Sequence, residues 1–129
     1  MARIVLCEDD PSIQKLVQAA LRPTGHEVLV AGDGVEGLRL IDESRPDLVL
    51  TDLAMPRLGG LDLVDALKAR PGLAAIPVVL VTASVQRAQL DEAYRHGIDG
   101  HLEKPFSARD LVDIVRRFVG GVARSTIAG

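Results

Sequence analysis

Disulfides, aromatic platforms and long apolar segments are all missing from this sequence. One cysteine, Cys7, occurs in 129 residues, which excludes a disulfide framework and suits a reducing compartment. Tryptophan is absent and the aromatic residues are Tyr94, Phe106 and Phe118, too few for a surface on which nucleic-acid bases stack. Positive charge is not in excess: 15 Lys plus Arg stand against 18 Asp plus Glu, a net charge of -3, so an electrostatic grip on nucleic acid is not expected. No stretch approaches the ~18 uninterrupted apolar residues of a membrane span. Only a handful of apolar positions separate the opening Met-Ala-Arg from Glu8, which does not fit a secretory leader. The expectation is a soluble, cytoplasmic protein with no direct contact to membrane or nucleic acid.

What is present is one domain's worth of alternating patterns. A chain of this length buries roughly two-thirds of its unfolded surface and needs neither disulfide nor structural metal. Apolar runs begin near Arg3, Glu27, Asp47, Ile76 and Asp99, and each is followed by apolar residues at helical spacing, giving five βα units. In the first helix Asp10 is a cap, Pro11 fits the first turn, and Ile13, Leu16, Val17, Ala20 and Leu21 form one stripe before Arg22-Pro23-Thr24-Gly25 stops it. Gly34 to Ser44, Gly60 to Arg70 and Val85 to His96 read as the next three helices, the last with only Leu90, Ala93 and Tyr94 on a thin apolar face. That thinness suits a movable element and an exposed helix equally well. The last helix opens with Ser107 and Asp110 as a capping box and carries Leu111, Val112, Ile114, Val115, Phe118 and Val119 up to Gly120-Gly121. Residues 1–119 thus read as the domain, and residues 120–129 as a flexible C-terminal tail or linker.

Strands three and four are nearly continuous apolar runs, as in a parallel sheet with helices on both faces. The chemistry sits where such sheets bind ligands, outside the carboxyl ends of the strands. Glu8 and Asp9 follow the first run, Asp52 the third and Thr82 ends the fourth, while Lys104-Pro105 closes the fifth. For Glu8, Asp9 and Asp52 to share a site, strands one and three must be neighbours, which gives a doubly wound order 2-1-3-4-5.

Taken singly, each of these residues has an ordinary explanation: Asp10 and even Asp9 as helix caps, Asp52 as an Asx turn, Thr82 as a strand residue, Lys104 as a solvated lysine, and Cys7 as a small buried hydrophobe. His26 and His96, which flank glycines, read as simply exposed. Polar groups at four strand ends together point instead to one site. Three carboxylates in a cleft repel one another unless a cation neutralises them, and an all-oxygen set with no His or Cys nearby in sequence favours Mg²⁺ or a similar hard ion, which binds one or two carboxylates plus phosphate oxygens. An aspartate can then act as nucleophile to form an acyl phosphate, with Lys104 and Thr82 holding phosphoryl oxygens.

These residues resemble the receiver domain of bacterial two-component response regulators. The likeness spans Ala2 to Val119 and is carried by Val5-Leu6-Cys7-Glu8-Asp9-Asp10, by Leu50-Thr51-Asp52-Leu53-Ala54-Met55-Pro56, by Leu80-Val81-Thr82-Ala83, and by Gly97-Ile98-Asp99-Gly100-His101-Leu102-Glu103-Lys104-Pro105-Phe106. It implies a flavodoxin-like (βα)5 fold, Asp52 as phosphoacceptor, and Mg²⁺ held by Glu8, Asp9, Asp52 and the backbone carbonyl of Ala54. It further implies Lys104 and Thr82 as phosphate-contacting groups, Thr82 and His101 as switch residues, and a cis peptide before Pro105. The donor would be a histidine kinase or histidine phosphotransfer protein. The output would be a changed face of helix 4, strand 5 and helix 5, read by an output domain or downstream protein, with a phosphorylation-dependent dimer as one open form. Ala54 and Ser84 occupy the positions two after Asp52 and Thr82, which in the family govern access of hydrolytic water.

A Mg²⁺-dependent phosphatase of the haloacid-dehalogenase type also uses a strand-end aspartate, but it wants an acid where this chain has Ala54. A receiver-like module that binds constitutively is disfavoured by the intact acidic, threonine and lysine set. Gly32-Asp33-Gly34 lacks the full dinucleotide fingerprint, and no Gly-x-x-x-x-Gly-Lys loop occurs. A phosphoacceptor rather than a turnover enzyme is therefore expected.

Overall fold

The structure is a computed structural model, and it describes residues 1–83 and 85–120. Ser84 and residues 121–129 lie outside the described residues, and with them the expectations for the hydrolysis-governing Ser84 and for nearly all of the tail. Strands β1 (Arg3–Cys7), β2 (Glu27–Ala31), β3 (Leu48–Thr51), β4 (Val78–Thr82) and β5 (Gly100–Glu103) alternate with helices α1 (Pro11–Leu21), α2 (Gly34–Ser44), α3 (Gly60–Lys68), α4 (Arg87–His96) and α5 (Ala108–Val115). The five strands form one parallel sheet in the order β2-β1-β3-β4-β5, the order demanded by a site shared between the first and third strands.

The core follows from the period-two geometry of strands and the apolar stripes of the helices. Along β1, Ile4 and Leu6 face one side while Val5 and Cys7 face the other. The first set packs with Leu48, Leu50, Val79 and Val81 against Val17 and Leu21 of α1 and Leu111, Ile114 and Val115 of α5. The second packs with Val49, Val78 and Leu80 against Ile41 of α2, Leu63, Val64 and Leu67 of α3 and Ala93 of α4. Both faces of β3 are therefore buried, and each such leucine or valine contributes about 1.5–3 kcal/mol relative to exposure.

Helix ends obey local chemistry. Asp10 Oδ1 accepts the Ser12 amide at 2.8 Å, Asp33 Oδ1 accepts that of Glu36 at 2.9 Å, and Ser107 and Asp110 form the reciprocal box at 3.0 and 3.2 Å. Three boundaries differ from the periodicity. β4 starts at Val78 rather than Ile76, because Pro77 has no N–H to enter the ladder and Ile76 instead closes a turn onto Leu73. α3 ends at Lys68, and α4 starts at Arg87, where Gln89 Oε1 accepts the Gln86 amide at 3.1 Å. The stripe that continues α5 runs through a π-turn over Arg116–Gly120.

α4 is attached by little apolar surface: Ala93 is buried, but Tyr94 is 41% exposed. Its remaining ties are polar. His96 Nδ1 lies 2.7 Å from Asp65 Oδ1 of α3, while within α4 its Nε2 lies 3.6 Å from Glu92 Oε1. The hydrogen bond to Asp65 outweighs the downward effect of burial and, with the negative charges of Asp65 and Glu92, holds the His96 pKa above its ordinary 6.5. A raised folded-state pKa means that this contribution to stability is complete below about pH 6.5 and is lost as pH rises through the folded value. The urea midpoint of wild type should accordingly fall between pH 6 and 8 relative to that of His96→Gln, whereas parallel profiles would remove His96 from the stability of the α3–α4 contact.

Candidate functional site

The backbone delivers the predicted groups to the carboxyl edge through bonds that extend the ladders past the strand ends. The Glu8 amide donates to Ala31 O at 2.9 Å, that of Asp52 to Cys7 O at 3.0 Å, and that of Lys104 to Thr82 O at 2.8 Å. Each residue is thus fixed by the neighbouring strand before its side chain makes a contact. The peptide between Lys104 and Pro105 is cis, as the family likeness implied.

The side chains converge. One carboxylate oxygen from each of Glu8, Asp9 and Asp52 lies within 4.8 Å of the other two. Lys104 Nζ donates to Glu8 Oε1 at 2.7 Å and to Asp52 Oδ2 at 2.9 Å. Glu8 is 1% and Asp52 9% exposed, while Asp9 is open to solvent. One ammonium thus bridges two of the three carboxylates. Burial pushes the Glu8 carboxyl up from its ordinary range, with the Lys104 hydrogen bond and the Asp10 amide (3.1 Å from Oε2) opposing. For Lys104 burial works downward, but the hydrogen bonds and charges of Glu8 and Asp52 outweigh it and raise its pKa, so it is firmly charged. Burial, then the charge of Asp33, pushes the Cys7 thiol up to about 12, which leaves it an inert core group.

The other expected residues are placed as follows. Thr82 is buried at the end of β4, and its carbonyl anchors Lys104. Ala54 is exposed in the segment after β3, its amide 3.4 Å from Asp52 Oδ1. His101 stands in β5 opposite Leu80, away from the acidic cluster, and its Nδ1 is 2.7 Å from the Tyr94 hydroxyl of α4 with the rings edge to face. Sequence reasoning missed that tyrosine partner and a second pair, Arg57 with Asp33. Neither has a local signal, since Tyr94 and His101 lie on different elements, α4 and β5, and Asp33 and Arg57 are 24 residues apart.

A buried carboxylate, an acidic pair beside it and a bridging lysine at the edge of a 2-1-3-4-5 sheet form an arrangement suited to a hard cation: the candidate ligands are all oxygen, and a cation would relieve the repulsion that Lys104 alone offsets. The family model for the response regulator receiver domain matches residues 4–116. The chain belongs to that family. This receiver is 37% identical over 114 residues to the DNA-binding response regulator MtrA of Mycolicibacterium smegmatis, covering 88% of this chain and 49% of that protein. It is 34% identical to the transcriptional regulator RpaA of Synechocystis, with 90% and 48% covered. The chain therefore spans about half the length of these relatives. Among solved structures it resembles the Vibrio cholerae chemotaxis protein CheY4, with TM-score 0.87 at 28% identity, covering 92% of this chain and 99% of that one. It also resembles the receiver domain of the sensor histidine kinase PA1611 of Pseudomonas aeruginosa, which has a magnesium ion in its active-site cleft, with TM-score 0.85 at 28% identity and coverage of 92% and 98%. The receiver is thus the phosphoacceptor module of a two-component phosphorelay. Among the described residues no helix is long and apolar enough to cross a membrane.

Removing the ammonium leaves buried charge uncompensated. Lys104→Met should lower stability in EDTA by about 3 kcal/mol, the scale for breaking a buried pair, and millimolar Mg²⁺ should restore part of the loss. Urea unfolding with and without Mg²⁺ checks this, and an unchanged midpoint in EDTA would contradict it.

Proposed function

We propose that Asp52 is the phosphorylation site of this receiver and that Glu8, Asp9, Asp52 and the Ala54 carbonyl hold Mg²⁺ during transfer. The observation that carries the reading is the Lys104 ammonium bridging Glu8 and the buried Asp52 in a cleft of three carboxylates. A carboxylate oxygen of Asp52 attacks the phosphorus of a phosphohistidine on a histidine kinase or phosphotransfer protein, or of a small acyl phosphate. The donor's P–N or P–O bond breaks, its electron pair stays on the leaving imidazole nitrogen, which takes a proton from solvent, or on the leaving carboxylate oxygen, which needs none, and an acyl phosphate remains on Asp52. Bound Mg²⁺ supplies charge neutralisation for the phosphoryl oxygens. Lys104 stays protonated and, with the Thr82 hydroxyl, takes up the new oxygens.

Phosphorylation then biases a pre-existing equilibrium: Thr82 moves toward the phosphoryl group, His101 turns inward, and the face of α4, β5 and α5 changes. An output domain, a downstream protein or a second phosphorylated copy reads that face. With Ala54 in place of a general acid there is no separate turnover substrate, and the receiver works in the cytoplasm beside its kinase.

Incubation with Mg²⁺ and acetyl phosphate should add one phosphoryl group by intact mass, and the adduct should be absent in Asp52→Asn and in EDTA. An adduct that persists in Asp52→Asn would overturn the assignment. Ala54 borders the acceptor, so Ala54→Asn should change the decay of the phosphorylated mass severalfold after the phosphodonor is removed. Identical decay curves would exclude this position from control of hydrolysis.

A further inference from the structure

The segment between β3 and α3 contains Ala54 and runs past Asp52, and it is held in place by a device outside the acidic cluster. Arg57 adopts φ +69°, in the left-handed region that arginine rarely visits. The Leu58 amide donates to Pro56 O at 2.8 Å, so Arg57 is the central residue of the rare γ-turn of positive φ, a strained arrangement that persists only when its surroundings fix it. The fixing group is Asp33, ahead of α2. Arg57 Nε and Nη2 both donate to Asp33 Oδ2, at 3.1 and 2.8 Å, while Oδ1 of the same carboxylate caps α2 through the Glu36 amide.

Asp33 is therefore held by both oxygens. The backbone lies close on either side of this clamp. A Cβ on Gly34 would stand 2.0 Å from Leu58 O, and one on Gly60 would stand 2.4 Å from Asp52 O. The segment thus rests directly on the first turn of α2 at one end and on the acceptor's own carbonyl at the other.

From this geometry we infer that Asp33 and Arg57 are positioning residues for the metal-binding side of the acceptor site: by clamping the γ-turn to α2 they hold the Ala54 carbonyl and Asp52 in binding register. The inference rests on the metal site proposed above. It competes with a purely electrostatic role, because Asp33 is a fourth carboxylate near the end of β1, close enough to affect Cys7, and Arg57 neutralises it. The two roles predict different signs. Arg57→Gln removes a positive charge and on electrostatic grounds tightens cation binding; Asp33→Asn removes a negative charge and weakens it. If positioning dominates, both changes weaken it. Asparagine caps a helix as well as aspartate does, so Asp33→Asn leaves α2 started.

The test is calorimetric titration of the full chain with Mg²⁺ for wild type, Asp33→Asn, Arg57→Gln and the double variant, alongside thermal unfolding in EDTA. The expected result is a Kd raised about threefold to tenfold in both single variants, at or below the usual range for losing a group that orients metal ligands. The double variant should be no weaker than the singles, because the pair acts as a unit, and the EDTA melting temperatures should move little. Kd shifts of opposite sign, or Kd values equal to wild type, would overturn the clamp while leaving the metal site intact. Absence of Mg²⁺ binding by wild type would overturn the metal site itself and the clamp with it.

Discussion

Three carboxylates held within 4.8 Å of one another form the constraint around which this domain is organised. At an effective dielectric near 20, two unit charges at that distance repel by about 3–4 kcal/mol, and Glu8 and Asp52 are too buried for bulk water to relieve them. The Lys104 ammonium offsets part of the repulsion, and its position depends on features remote in sequence. β4 must lie between β3 and β5 for the Thr82 carbonyl to take the Lys104 amide. β1 must lie beside β3 for the Cys7 carbonyl to take the Asp52 amide. The parallel order that buries both faces of β3 is thus the same order that assembles the charges. The cleft holds three carboxylates against one ammonium, and that surplus of negative charge favours a divalent cation, whose charge would in turn let an anionic phosphoryl group approach.

The sheet edge that carries the carboxylates is joined to α4 through β5. Lys104 follows that strand, and His101 lies within it, touching α4 through Tyr94. α4 itself has Ala93 as its buried residue and otherwise leans on polar ties to α3 and β5. An element with little buried apolar area belongs to the low-stability end of a fold, from which moving parts are drawn. The weak apolar pattern over residues 85–96, which fitted both a movable and a merely exposed helix, corresponds to this shallow attachment.

Much of this was legible in the sequence because the signals are local. Apolar runs of strand length, Asp10 and Ser107 as caps, and polar groups just after the strands required no knowledge of distant contacts, and the topology followed from asking which strands must be adjacent for Glu8, Asp9 and Asp52 to meet. Boundaries were legible only to within a turn: Pro77 delayed β4 although Ile76 and Pro77 look apolar, because the missing N–H and not hydrophobicity set the start. The pairs Asp33–Arg57 and Tyr94–His101 were not legible. An arginine carries no signal for a positive φ, and side chains that meet across two βα units obey no period.

The function proposed for this receiver requires that a carboxylate oxygen of Asp52 form the new bond to phosphorus. The most direct measurement is borohydride reduction of the receiver after acetyl phosphate treatment with Mg²⁺, followed by peptide sequencing, because reduction converts an aspartyl acyl phosphate to homoserine. Homoserine at position 52 and at no other aspartate is the predicted result. Homoserine at Asp9, or reduction that leaves residue 52 as aspartate in a protein shown to carry the phosphoryl group, would contradict it.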